Sequence, residues 1–251
     1  MFYIDHFFKT VSNNNIYRMM DILKDILKNT NVPFVEYLQK KGILTLLINS
    51  LKHTSVEETR HVAFIIEIIV LILKKTTIRG ATQLVREFSN ANGYQIVQDA
   101  ILECEEELEY EPENLRKLFK LTADLVFVGD GYSEYSEGKP IKSQGAFQAI
   151  ANTFARAKHD TLRREVVDNI LFIFAEHQSN YRIVEELGTV AWFIHCIDDY
   201  SEETQIAVLK LLEFIAHGLN FIPKEELLSL VELLRGSISP SLAILVLKQI
   251  A

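Results

Sequence analysis

Four glycines recur at matched places along the 251-residue chain, and they constrain its fold more than any other feature. They are Gly42, Gly93, Gly145 and Gly188, in the windows KGILTLLINSL, NGYQIVQDAIL, QGAFQAIANTF and LGTVAWFIHCI. Nine residues beyond each stands a large apolar side chain: Leu51, Leu102, Phe154 and Ile197. The glycines are spaced by 51, 52 and 43 residues. Armadillo and HEAT units run about 40–47 residues, so the two longer spacings carry insertions. A glycine is expected where two helices meet steeply, because that junction takes positive φ or brings two backbones close.

Between the glycines the periodicity is helical. Met19, Met20, Leu23, Ile26 and Leu27 fall on one helical face, and the same spacing holds for 62–73, 115–127, 162–174, 206–215 and 227–234. No segment alternates strictly, and only 10 glycines and 5 prolines interrupt the chain. Helix starts are predicted at Ser55, which forms a capping box with Glu58, and at Asp160 and Ser201. Pro33, Pro112, Pro223 and Pro240 suit first-turn positions. The run from Val62 to Leu73 is apolar but contains Glu67 and is too short to span a bilayer, so it predicts a buried helix. The fold expected is all-α: an armadillo/HEAT-like right-handed superhelical solenoid of about four to five repeats, forming one domain over 1–251.

In that scheme a longer third helix closes each repeat, at Ser55–Lys75, Glu113–Val128, Asp160–Glu176 and Ser201–His217. Each carries one polar residue followed by two apolar ones, at Glu67, Asp124, Asn169 and Glu213. Third helices of armadillo folds line a concave groove, so these four residues are the candidate protein-binding ladder. Being mostly acidic, the ladder is expected to take an extended peptide or basic side chains. Trp192 is placed in the core.

Chemistry is sparse. There is no P-loop, no H-E-x-x-H, no C-x-x-C and no EF-hand loop. Seven scattered histidines and the neighbours His195 and Cys196, about 100° apart on a helix, do not assemble a metal site. The reading is non-enzymatic, with no catalytic residue, cofactor or metal. A net charge of −8 lacks the basic footprint of a nucleic-acid binder, and two cysteines fit a reducing compartment. Seven carboxylates between Glu103 and Glu113 predict a solvated, mobile connection. Loop Gly129–Pro140, with Tyr132 and Tyr135, is a second candidate surface.

Two stretches carry a family resemblance. Asn180-Tyr181-Arg182-Ile183 and Phe214–Leu228 (FIAHGLNFIPKEELL), together with Phe88–Tyr94 (FSNANGY), resemble the N-terminal armadillo-like region of BEACH-domain proteins of the WD-repeat and FYVE-containing type. The clear similarity covers about a fifth of the chain. It implies a scaffold that binds proteins in membrane traffic, lysosomal function or selective autophagy. It also implies a cytoplasmic location, with any endosomal or lysosomal attachment made by other parts of a longer protein. BEACH, WD-repeat and FYVE signatures are absent from these residues, so no functional residue transfers. The last helix, 241–251, stays apolar at Leu245, Leu247 and Ile250, which is expected of a solenoid fragment. Two alternatives stand: a formin-type regulatory armadillo domain that binds a Rho-family GTPase, and a structural solenoid segment without a direct ligand.

Overall fold

The long helices pack in chain order. A computed structural model describes residues 13–29, 32–52, 59–77, 83–106, 112–129, 138–219, 222–236 and 238–250. The described residues form helices and connections, with no strand among them. We number them α1 (Asn13–Asn29), α2 (Val32–Lys40), α3 (Ile43–Lys52), α4 (Thr59–Thr77), α5 (Gln83–Asn90), α6 (Gly93–Glu103) and α7 (Pro112–Val126). There follow α8 (Gln144–Arg156), α9 (Asp160–Glu176), α10 (Asn180–Val184), α11 (Thr189–His195), α12 (Glu202–Glu213), α13 (Lys224–Arg235) and α14 (Pro240–Ile250). Helices α4, α7, α9, α12 and α14 each pack on the next. The shorter α3, α6 and α8 form a parallel series beside them.

The apolar run of 62–73 is a buried helix, as its length and Glu67 required. Ile65, Ile66, Ile68, Ile69, Ile72 and Leu73 of α4 are all fully enclosed. Its neighbours α1, α3 and α7 bury it from several sides, which is why almost every position is apolar rather than one stripe. No helix of the described residues is long and apolar enough to cross a membrane.

The four glycine junctions are of three kinds. Gly42 and Gly188 adopt left-handed backbone, with φ of 70° and 62°. At the second junction the left-handed residue is Asn92 (φ 56°), a type that tolerates this region. Gly93 is required for space instead: a Cβ there would fall on the ring of Phe88, which is fully buried. Gly145 sits in the first turn of α8 and takes no positive φ. Gly93→Val should therefore cost about 2 kcal/mol through displacement of the Phe88 ring. A thermal melt unchanged by the substitution would exclude that packing.

Helix starts follow the sequence signals closely. Ser201 caps α12, its Oγ accepting from the Thr204 N–H at 3.4 Å. Pro112 and Pro240 open α7 and α14, Pro33 is the second residue of α2, and Pro223 is the N-cap of α13. Asp160 is the first residue of α9 rather than its cap, and its carboxylate reaches forward to accept from the Ser201 N–H at 2.8 Å. Hydrogen bonds from Ser201 and Arg163 outweigh its partial desolvation and hold this carboxyl below its usual value. The capping pair Ser55 and Glu58 lies outside the described residues.

Two expectations change. Glu105, from the acidic run, is buried. One of its oxygens accepts from the backbone N–H groups of Lys158 and His159, both at 2.7 Å, so it ties the end of α6 to the start of α9. Two repeats later Asp198, which is exposed, accepts from the Ser239 N–H at 3.3 Å. Glu103, Glu106 and Glu113 of the run are exposed, as expected of a solvated stretch; residues 107–111 lie outside the described residues, as do Tyr132 and Tyr135. Trp192 is not in the core: it is 40% exposed. On seven-residue α11 the inward stripe is Val190, Phe193 and Ile194, and residue 192 points away from it.

Candidate functional site

The four ladder residues are placed on successive long helices, and three of them are engaged at helix junctions. Glu67 on α4 is paired with Lys24 of α1 at 3.3 Å and with Lys117 of α7 at 4.0 Å. Lys24 and Lys117 also lie over the Phe64 ring, at 5.1 and 5.5 Å. Asp124 on α7 is paired with Lys74 of α4 at 2.8 Å. Asn169 is 7% exposed, and its amide donates to the Phe119 carbonyl of α7 at 2.9 Å. Thr122 donates to that same carbonyl at 2.8 Å. Glu213, at the end of α12, is exposed.

Beside Asn169 the surface opens. A cleft of about 260 Å³ lies between α7 and α9, lined by Arg116, Phe119, Lys120, Glu165, Asp168, Asn169 and Phe172. The helical period builds it: residues 116 and 120 share one face of α7, and 165, 168, 169 and 172 share one face of α9. Phe172 is 39% exposed, a large apolar ring standing in water. Arg116 Nε donates to Glu165 Oε1 at 3.3 Å across the cleft. Partial burial raises the pKa of both Glu165 and Asp168. Opposing that rise are the charges of Arg116 and Arg164 at Glu165, and of Lys210, Arg164 and Arg116 at Asp168. Of the sequence candidates, only Asn169 belongs to this cleft. Arg116, Lys120, Glu165, Asp168 and Phe172 were missed, because a charged residue on an amphipathic helix looks the same in sequence whether it faces open water or a cleft.

A second cleft of about 260 Å³ runs between α8 and α11. Trp192 and Leu187 form its exposed edge, Gln148 and Asn152 supply amides, and Phe193 forms part of its wall. Phe193 stacks on Phe154 with ring centroids 4.2 Å apart. No group of three or more His, Cys, Asp or Glu among the described residues could hold a metal.

Three of the residues that carry the family resemblance, Asn180, Tyr181 and Glu226, are buried polar ones. Asn180 is fully enclosed. Its carbonyl accepts from the Ile141 N–H at 2.8 Å, and its amide donates to the carbonyls of Lys139 at 3.0 Å and Ile173 at 2.7 Å. Tyr181 donates its hydroxyl to Glu226 of α13 at 2.9 Å, and both side chains are buried. Desolvation raises the Glu226 pKa despite that hydrogen bond, and Glu185 and Glu225 add to the rise. Folding therefore favours the protonated form. Its stabilisation is complete below the ordinary value of 4.5 and fades as pH rises through the raised value. Glu226→Gln should melt above the parent at neutral pH, with the gap closing in acid. A gap that persists below pH 4 would exclude this origin.

An all-helical chain without a metal cluster among its described residues, and with clefts between its helices, can be set beside known proteins. No family model matches it, and no solved structure does. The chain is 32% identical to Protein SPIRRIG of Arabidopsis thaliana over 121 residues, which is 48% of this chain and 3% of that one. It is 35% identical to BEACH domain-containing protein A2 of Arabidopsis thaliana over 109 residues, 43% of this chain and 3% of that one. With WD repeat- and FYVE domain-containing protein 4 of Homo sapiens it shares 24% identity over 251 positions, covering 91% of this chain and 8% of that one. These homologues are BEACH-domain proteins. The chain is similar to one region of them and spans less than a tenth of the length of any of these three, which bears out the resemblance read from its own residues.

Proposed function

We propose that the chain is a non-catalytic protein-interaction module of a BEACH-type scaffold in membrane traffic, lysosomal function or selective autophagy. Its helices form an armadillo-like solenoid, and a partner segment lies extended across the long helices that carry Glu67, Asp124, Asn169 and Glu213. The observation that carries this reading is the cleft beside Asn169, with its exposed Phe172. A cleft rimmed by charge around an apolar ring suits a peptide side chain. The series of long helices, each packed on the next, supports the solenoid, because repeat proteins bury each unit only against its neighbours. The location that accompanies this role is cytoplasmic.

Proximity labelling of the full-length protein, compared with a version lacking these 251 residues, tests the module. Partners lost only in the deletion belong to it; an unchanged partner set would sink the reading. The ladder is tested separately by replacing Glu67, Asp124 and Glu213 together with Ala. Partner capture should fall while the fold persists, since partly exposed ion pairs contribute only about 1 kcal/mol or less each. Retention of every native partner would remove the ladder from the binding face.

A further inference from the structure

Among the described residues, one buried amide stands apart from the others. Asn169, Asn180 and Gln205 are buried and each donates to a backbone carbonyl. Gln98, midway along α6, is 2% exposed, and neither its Nε2 nor its Oε1 meets a hydrogen-bonding atom of the protein. Burying an amide is costly unless something bonds it.

Helix α8 packs on both α6 and α7, and a cavity of about 10 Å³ opens where the three meet. Gln98 lines it, together with Thr122 of α7 and Thr153 of α8, both buried. Each threonine commits its one hydroxyl proton within its own helix. Thr122 donates to the Phe119 carbonyl at 2.8 Å, and Thr153 to the Ala149 carbonyl at 2.9 Å. Both hydroxyl oxygens therefore keep lone pairs that can only accept. Tyr94, the remaining polar residue of the wall, is hydrogen-bonded to Ser143, and the rest of the lining is apolar.

Volume and chemistry select one occupant. A cavity of about 10 Å³ has room for a single water and is too small for an organic ligand. No carboxylate, histidine or cysteine lines it to hold a cation. An amide N–H in need of an acceptor and two hydroxyls able only to accept complement a molecule that accepts once and donates twice. Water does so, and three hydrogen bonds are usual for a buried one.

We propose that Gln98, Thr122 and Thr153 form a buried water site, in which the water accepts from Gln98 Nε2 and donates to the two threonine hydroxyls. The Gln98 carbonyl takes no bond in this arrangement, which a buried carbonyl oxygen tolerates better than an N–H does. Through Thr122 the site continues to the Phe119 carbonyl, which also accepts from Asn169 of α9 at 2.9 Å. One chain of hydrogen bonds then runs from α6 through α7 to α9. The site is independent of what the module binds.

Crystal structures of the full chain and of its Gln98→Leu variant, at a resolution that shows ordered water, test this. The parent should hold a water oxygen about 3 Å from Gln98 Nε2 and from both threonine hydroxyls. In Gln98→Leu that water should be gone, because its only donor has been withdrawn. Gln98→Met serves in the same way if the leucine variant does not fold. The proposal is overturned if no water touches all three side chains in the parent, if the Gln98 amide is found turned onto a protein carbonyl, or if the water persists in the folded variant.

Discussion

Asn180→Ala should lower the melting temperature by roughly 10 °C. The side chain is fully buried and makes three hydrogen bonds, one to each of Ile141, Lys139 and Ile173. Alanine would strand one backbone N–H and two carbonyls. A stranded buried group costs about 1–3 kcal/mol, and the groups that water can reach recover part of it. A net loss of about 3–4 kcal/mol converts to roughly 10 °C at about 2–4 °C per kcal/mol for a chain of this size. The clasp matters because it fixes residues 139–141, which lead into α8, to the end of α9. Gly138 lies beside the Glu176 carbonyl there, and the Lys139 N–H donates to that carbonyl at 3.0 Å. Asn180→Asp should be worse than alanine at neutral pH, because a carboxylate would face two carbonyls, and should recover partly in acid when it regains a donor. A melt of Asn180→Ala within about 2 °C of the parent would mean that water or rearrangement replaces the clasp.

Glu105→Ala should be destabilised by about 3 kcal/mol, while Glu105→Gln should retain most of the parent's stability. Both N–H donors meet the same carboxylate oxygen at 2.7 Å, and a glutamine carbonyl can occupy that place. Alanine removes the acceptor from beneath the N-terminus of α9, where an anion is also favoured by the helix dipole. Chemical denaturation of the three proteins checks the order. Equal loss in Gln and Ala would show that the charge matters more than the acceptor. No loss in either would show that the burial of Glu105 is incidental.

Residues 103–113 show where sequence reasoning stops. Seven carboxylates in a short stretch look like a solvated run, and composition alone cannot separate one from the rest. Among the described residues of the run, Glu105 alone lies opposite two backbone donors that arrive from more than fifty residues away. The same limit applies at Trp192. An apolar neighbourhood in sequence suggested the core, but the short α11 has a narrow inward stripe that leaves residue 192 at a cleft edge. At Gly93 the site was correctly marked and its reason was not. The left-handed turn belongs to Asn92, and the glycine makes room for Phe88. In the candidate site, Asn169 was legible as a break in an apolar face. Arg116, Lys120 and Phe172 were not, because each is one polar or apolar position among many on helices with the same period.

Local chemistry, readable in one dimension, therefore determined the helices, their starts, the buried character of 62–73 and the likeness to BEACH-domain proteins. These depend on the 3.6-residue period, on capping and on breakers, all of which act within a few residues. The tertiary structure decided which charges are committed and which face a cleft. Glu67 and Asp124 are neutralised by lysines of other helices, Asn180 closes on two connections, and cations gather around Asp168. Those outcomes depend on which helix packs on which, and charge acts through distances in space that sequence separation does not encode.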